Sequence, residues 1–165
     1  MMTIKEMVND SVHVKERVCA AYQKAQDLQP KLNAVISFVD PKAQLEQLAV
    51  DGKMRGVPIA LKDNVSTKGI LTTAGSRILS DYVPVYDATI VEKLRAAGAV
   101  TIAKASMDEL AMGGTNKTCF IGPAHNPWDG RRITGGSSGG SAALVASGVV
   151  PMAVGTDTGD SVRKP

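Results

Sequence analysis

Three serines and one lysine carry the residue types that nucleophilic chemistry needs. Ser137 and Ser138 lie in G-G-S-S-G-G-S (135–141), Ser161 in G-D-S-V-R (159–163), and Lys62 directly after the apolar run 57–61. A serine hydroxyl is a weak nucleophile until a base takes its proton and donors await the oxyanion. Histidine is the usual base, but the chain has only His13 and His125, both of which read as ordinary polar positions. Lysine can replace it when neutral. A free lysine titrates at about 10.4, and burial lowers that by about 3 to 5 units. Lys62, leaving an apolar strand, is better placed for desolvation than lysines on helix faces, although a lysine at a strand exit is ordinarily a solvated edge residue.

Other patterns around these serines are weaker. G-x-S-x-G occurs around Ser137 and again around Ser138, but the elbow of a Ser-His-Asp hydrolase needs an apolar strand leading in and a histidine later in the chain. Here D-G-R-R (129–132) leads in and both histidines come earlier. S-V-R-K (161–164) fits S-x-x-K, without the K-T-G or S-D-N box that accompanies it in penicillin-binding enzymes. The loop 135–141 has phosphate-loop glycines, yet Ser141 stands where Walker A needs lysine. A run of only glycine and serine that opens an alanine-rich helix, whose first N–H groups are free, favours a binding or catalytic turn over a flexible one.

The elements that must position these residues follow from periodicity. Val14, Val18, Ala21, Tyr22, Ala25 and Leu28 form the stripe of a surface helix that Pro30 is expected to end. Residues 35–39 read as a strand, 43–50 as a second helix, and 57–61 as a buried strand in which Pro58 argues against a central position. Asp87 is expected to cap a helix carrying Ile90, Val91, Leu94 and Ala97, which Gly98 stops. The next strand, 100–103, completes a βαβ unit. Residues 107–128 turn irregular, with Trp128 expected as a packing plug, before a helix over 141–146 and a strand over 149–154.

The 165 residues, 44% of them hydrophobic, suffice for one domain. Basic residues such as Lys15, Arg17, Lys24, Lys42, Arg55, Lys93 and Arg95 are scattered among acids, which speaks for a solvated surface rather than a nucleic-acid patch. Cys19 and Cys119 lie far apart with no C-x-x-C, so no disulfide framework or cysteine-based zinc site is expected. With no signal-like h-region and no run long enough to span a bilayer, the expected setting is soluble and cytoplasmic.

G-V-P-I-A-L-K-D-N (56–64), G-G-S-S-G-G-S-A-A (135–143) and G-T-D-T-G-D-S-V-R-K-P (155–165) together resemble the amidase signature family. L-N-A-V-I-S-F (32–38), Y-D-A-T-I-V-E-K-L-R-A-A-G-A (86–99), M-D-E-L-A-M-G (107–113) and N-P-W-D (126–129) extend the likeness, in order and spacing, over nearly the whole chain. Within that family the chain is most similar to the A subunits of aspartyl/glutamyl-tRNA amidotransferases.

The resemblance implies an α/β fold with a mixed β-sheet core flanked by helices, residues 1–165 being the N-terminal portion of a single amidase domain. It implies a Ser-cisSer-Lys triad in which Lys62 is the base, Ser137 the bridging serine on a cis peptide and Ser161 the nucleophile. The backbone N–H groups of Thr158, Gly159 and Asp160 would hold the oxyanion. It further implies glutamine as ammonia donor and subunits B and C as partners in a complex that acts on misacylated tRNA. ATP and Mg would then belong to a partner chain, with no cofactor or metal on this one.

Two departures from the family pattern stand out. Asp160 occupies a position where glycine is common, which adds a carboxylate beside the nucleophile and strain if the backbone there needs φ > 0. Lys164, where glutamine is common, could offset that charge. Roughly the last two-thirds of the family's length is not represented, so residues 1–165 alone are expected to be inactive and to expose apolar sheet surface. The rival readings are a stand-alone amidase acting on another amide and a degenerate, non-catalytic scaffold.

Overall fold

The computed structural model describes residues 2–165. It opens on α1 (Ile4–Asn9), where Thr3 and Glu6 close a reciprocal capping box and Met7 is buried. The T-x-x-E spacing is the signal for this helix, which apolar periodicity alone does not reveal. In α2 (Val14–Leu32) the expected stripe buries Val18, Ala25 and Leu32. Pro30 does not end this helix but sits inside its last turn. There it removes only one ladder bond, and the exit is held independently. Asn33 closes the helix in the left-handed region at φ 46°, and the Gln29 side chain accepts from Val35 N at 3.0 Å and donates to Val35 O at 2.8 Å.

β1 (Val35–Phe38) follows as expected, while α3 (Lys42–Glu46) stops short of residue 50. The chain after α3 is pressed against the end of the next helix, where a Cβ on Gly52 would lie 2.1 Å from Ala97 O. β2 (Pro58–Lys62), α4 (Thr89–Ala96) and β3 (Val100–Ala105) form the βαβ unit. Asp87 does not cap α4. The cap is Ala88, and the Asp87 carboxylate instead accepts from Lys68 N–H at 2.8 Å and from Arg95 at 2.5 Å. Gly98, at φ +84°, ends the helix as expected. Last come α5 (Gly139–Ala146) and β4 (Met152–Val154), the helix beginning earlier and the strand later than expected.

The strands lie in the order β1-β3-β2-β4, with β1 antiparallel to β3 and both β3 and β4 parallel to β2. β2 is therefore interior despite Pro58, which is tolerated because it is the strand's first residue. Alternation along β2 divides the core. Ala60 packs in a cluster with Val18, Leu32, Ile102 and Leu144, beneath α2 and α5. Ile59 and Leu61 pack with Met7, Val57 and Val91, beneath α1 and α4. Every residue of β2 and β3 is buried, whereas β4 is half-buried.

Trp128 is not a packing plug. It is 83% exposed, on an Asx turn in which Asn126 Oδ1 accepts from the N–H groups of Trp128 and Asp129. Cys19 is exposed, Cys119 is buried, and both are free. Among the described residues, no helix is long and apolar enough to cross a membrane.

Candidate active site

Lys62 ends the interior strand β2 and is completely buried, so it is no solvated edge residue. Its Nζ donates to Ser137 Oγ at 2.7 Å and to Thr156 O at 3.3 Å. Burial pushes its pKa down to about 8, against the upward pull of the Asp108 and Asp157 carboxylates. Among the described residues, Lys62 forms no ion pair.

Ser137 is reached from the other side. The Gly136–Ser137 peptide is cis, Ser137 is fully buried, and its carbonyl accepts from Asp108 N–H at 3.1 Å. Packing explains the surrounding glycines better than flexibility does. A Cβ would fall 2.1 Å from Asp108 Oδ2 at Gly136, 2.4 Å from Thr134 Oγ1 at Gly139, and 2.4 Å from Ser106 O at Gly140. The loop is thus pressed onto its supports at three points.

Ser161 is 9% exposed, and its carbonyl accepts from Ser138 N–H at 3.1 Å, so the two serine turns dock through their backbones. Ser138 Oγ also donates to Thr156 O, at 3.3 Å. The structure brings Lys62 and Ser137 into direct contact. Among the described residues it forms no hydrogen bond between the hydroxyls of Ser137 and Ser161. Asp157 braces the Ser161 turn, accepting from Val162 N–H at 3.2 Å and Arg163 Nε at 3.0 Å, while Arg163 also bonds Gly159 O. Partial burial works to raise the Asp157 pKa, but the bonds from Arg163 and Val162 outweigh it and hold the carboxyl below its ordinary value.

Thr158, Gly159 and Asp160 are exposed, and among the described residues none gives its backbone N–H to another protein group. Asp160 is not in the left-handed region, so it carries no such strain. Its carbonyl accepts from the N–H groups of Arg163 and Lys164, both at 2.9 Å. Lys164 forms no ion pair with it among the described residues. The Lys164 ammonium instead lies 2.7 Å from where a Cβ on Gly114 would be.

His13 pairs with Asp10 at 3.0 Å before α2, and His125 is exposed beside Ile133, so neither histidine reaches the serines. Several buried polar residues at the site escape sequence reasoning. Asp108 and Asn116 support the serine loop, while the half-buried Asn64 donates its amide to Thr156 Oγ1 at 2.9 Å. Lys104 and Asp63, both fully buried, pair at 3.6 Å on the far side of β2. Lys104 also donates to Thr72 Oγ1 at 2.6 Å, and Asp63 accepts from Thr73 N–H at 2.8 Å. No periodicity marks such residues. The only available signal is a charge inside or beside an apolar strand. Among the described residues, no group of three or more His, Cys, Asp or Glu side chains could hold a metal ion.

The profile of the Amidase family matches residues 16–165. The chain is 45% identical over 170 residues to the A subunit of the glutamyl-tRNA(Gln) amidotransferase of Sulfurisphaera tokodaii, covering 100% of this chain and 36% of that protein. It is also 45% identical over 168 residues to the protein of the same name from Oenococcus oeni, covering 98% and 34%. The crystal structure of the Thermotoga maritima counterpart superposes with a TM-score of 0.85 at 41% identity, over 99% of this chain and 35% of that one. A 6-aminohexanoate cyclic dimer hydrolase superposes with a TM-score of 0.86 at 31% identity, over 99% and 36%. The chain therefore spans little more than a third of the length of the curated relatives it matches.

Proposed function

This chain belongs to the Amidase family, and on that footing we propose that it carries the Ser-cisSer-Lys machinery of a glutamine amidase that feeds ammonia to tRNA-dependent transamidation. The observation that carries the reading is the buried 2.7 Å contact from Lys62 Nζ to Ser137 Oγ. In this mechanism neutral Lys62 accepts the Ser137 proton as Ser137 accepts that of Ser161. The Ser161 oxygen then bonds to the amide carbon. The N–H groups of Thr158, Gly159 and Asp160 point to the oxyanion role because they are otherwise unused. Collapse of the tetrahedral intermediate breaks the C–N bond, and the departing nitrogen takes its proton back from Lys62 through Ser137. Water, deprotonated along the same relay, then cleaves the acyl ester and restores Ser161. Substrate entry must turn the Ser161 hydroxyl onto Ser137, a tightening that unliganded sites commonly need.

Subunits B and C would receive the ammonia and act on misacylated Glu-tRNA(Gln) or Asp-tRNA(Asn). ATP and Mg belong to that partner chemistry, and no step on this chain runs through them. The names of the relatives, each the A subunit of a glutamyl-tRNA(Gln) amidotransferase, support Glu-tRNA(Gln) and a multi-subunit assembly. The likeness to a cyclic dimer hydrolase favours a second reading, a stand-alone amidase on another amide, which copurification of the full-length protein with tRNA-binding partners would overturn.

The test is glutaminase turnover in the full-length protein, where Ser161→Ala should abolish labelling by an acylating probe and Ser137→Ala should cost about 10²–10⁴-fold in kcat. Labelling that survives Ser161→Ala would overturn the assignment of the nucleophile. Residues 1–165 on their own should hydrolyse no glutamine, because the turn 157–160, whose N–H groups would hold the oxyanion, is exposed to water. Measurable turnover by that segment would contradict this.

A further inference from the structure

The support beneath Ser137 is a single buried acid. Asp108 is fully buried, and its Oδ2 accepts from Thr115 N–H at 3.1 Å and Asn116 N–H at 2.9 Å. Its Oδ1 accepts from Thr118 N–H at 3.4 Å and Thr118 Oγ1 at 3.0 Å. Four donors and no acceptor around the carboxyl are what an ionised aspartate requires. The same residue gives its backbone N–H to Ser137 O at 3.1 Å. Its carboxylate fills the space that side chains would otherwise take at Gly136 and Gly113, where a Cβ would lie 2.1 Å from Oδ2 and 2.5 Å from Cγ. Asn116 extends the support, donating to Ser106 Oγ at 3.1 Å and accepting from Gly140 N–H at 3.2 Å at the start of α5.

Among the described residues, no cation pairs with Asp108. Its charge is solvated by dipoles and remains available to the nearby Lys62, where it opposes the effect of burial. The other charges around Lys62 are accounted for. Asp157 is tied to Arg163, Asp63 is paired with Lys104 across β2, and the Lys164 ammonium lies beside Gly114.

We propose that Asp108 is the positioning residue of this site, its backbone fixing the bridging serine and its unpaired carboxylate placing a negative charge beneath the serine that Lys62 contacts. The inference rests on the reading of Lys62 as the base. It assigns Asp108 two separable effects. Losing the carboxylate's bonds to residues 115–118 loosens the turn whose backbone fixes Ser137 and lowers kcat, whereas losing the charge lets Lys62 shed its proton more readily and act at lower pH.

The experiment is the pH dependence of glutamine kcat/KM in the full-length protein and its Asp108→Asn, Asp108→Ser, Thr118→Val and Lys62→Ala variants, with thermal melts to confirm folding. Both Asp108 variants should move the acidic limb of the profile to lower pH by about 1 unit. Their plateau kcat should fall by about 10²-fold while KM stays nearly constant. Thr118→Val loosens the same loop and keeps the charge, so its limb should not move. Asp108→Ser leaves room for water at the four donors and is the variant to read if Asp108→Asn does not fold. A uniform loss with an unmoved limb in the folded Asp108 variants would overturn the proposal while leaving Lys62 as base. An active Lys62→Ala would overturn both.

Discussion

At the residue scale the decisive contrast is between Lys62 and the lysines on helix faces. Its pKa of about 8 follows from burial, so the neutral form grows as the pH rises through that value. At pH 7 roughly one molecule in ten would carry the neutral amine. We therefore expect glutaminase kcat/KM of the full-length protein to climb about tenfold from pH 7 to pH 9 and then level off. Lys62→Arg, which keeps a proton at any accessible pH, should be inactive throughout. The same shift has a stability counterpart. Folded Lys62 and Lys104 both titrate near 8, below the value of 10.5 for an ordinary lysine, so between those limits the unfolded chain binds more protons. Their contribution to stability should rise with pH across that window and be least favourable below about 8. Urea midpoints at several pH values within that window, compared with Lys104→Met, would check the sign.

At the element scale, α5 begins with glycines because the Thr134 and Asn116 side chains crowd Gly139 and the Ser106 backbone crowds Gly140. Replacing glycine by alanine inside a helix is ordinarily favourable by about 1 kcal/mol, but overpacking costs about 1–3 kcal/mol. At Gly140 the new Cβ would lie 2.4 Å from Ser106 O and 2.5 Å from Ser106 N, both of them backbone atoms held in place. The clash should win, and Gly140→Ala should lower the unfolding free energy in urea by up to about 2 kcal/mol. Sequence alone locates β2, α4, β3 and the two serine turns, because apolar runs and glycines mark them directly. It misplaces features that depend on a distant partner. Pro30 reads as a stop until Gln29 is seen gripping Val35, and Asp87 reads as a cap until Lys68 and Arg95 are seen to claim its carboxylate. Asp108, Lys104 and Asp63 look like surface charges because nothing local reveals that the chain will close over them. Lys62 and Ser137 stand 75 residues apart, and their pairing follows from the resemblance rather than from any local pattern.

At the scale of the whole molecule, the sheet carries two buried lysines at the same end, one contacting a serine and one paired with an acid. Lys104 pairs with Leu61 across the ladder, and its ammonium meets Asp63 at 3.6 Å, so the pair fastens the chain just beyond Lys62. Lys104→Met would leave the buried Asp63 without its cation and should cost about 3–5 kcal/mol of stability, whereas adding Asp63→Leu should recover much of that loss. Urea unfolding of both variants, followed by circular dichroism, checks the pair as a unit. The choice of probe matters, because Trp128 is the only tryptophan and is 83% exposed. Its indole already emits as a hydrated chromophore, so melting the core should hardly change its colour. A shift of that emission to the blue would instead report a surface closing over the apolar groove that Trp128 shares with Pro127, Ala142, Val145 and Pro165.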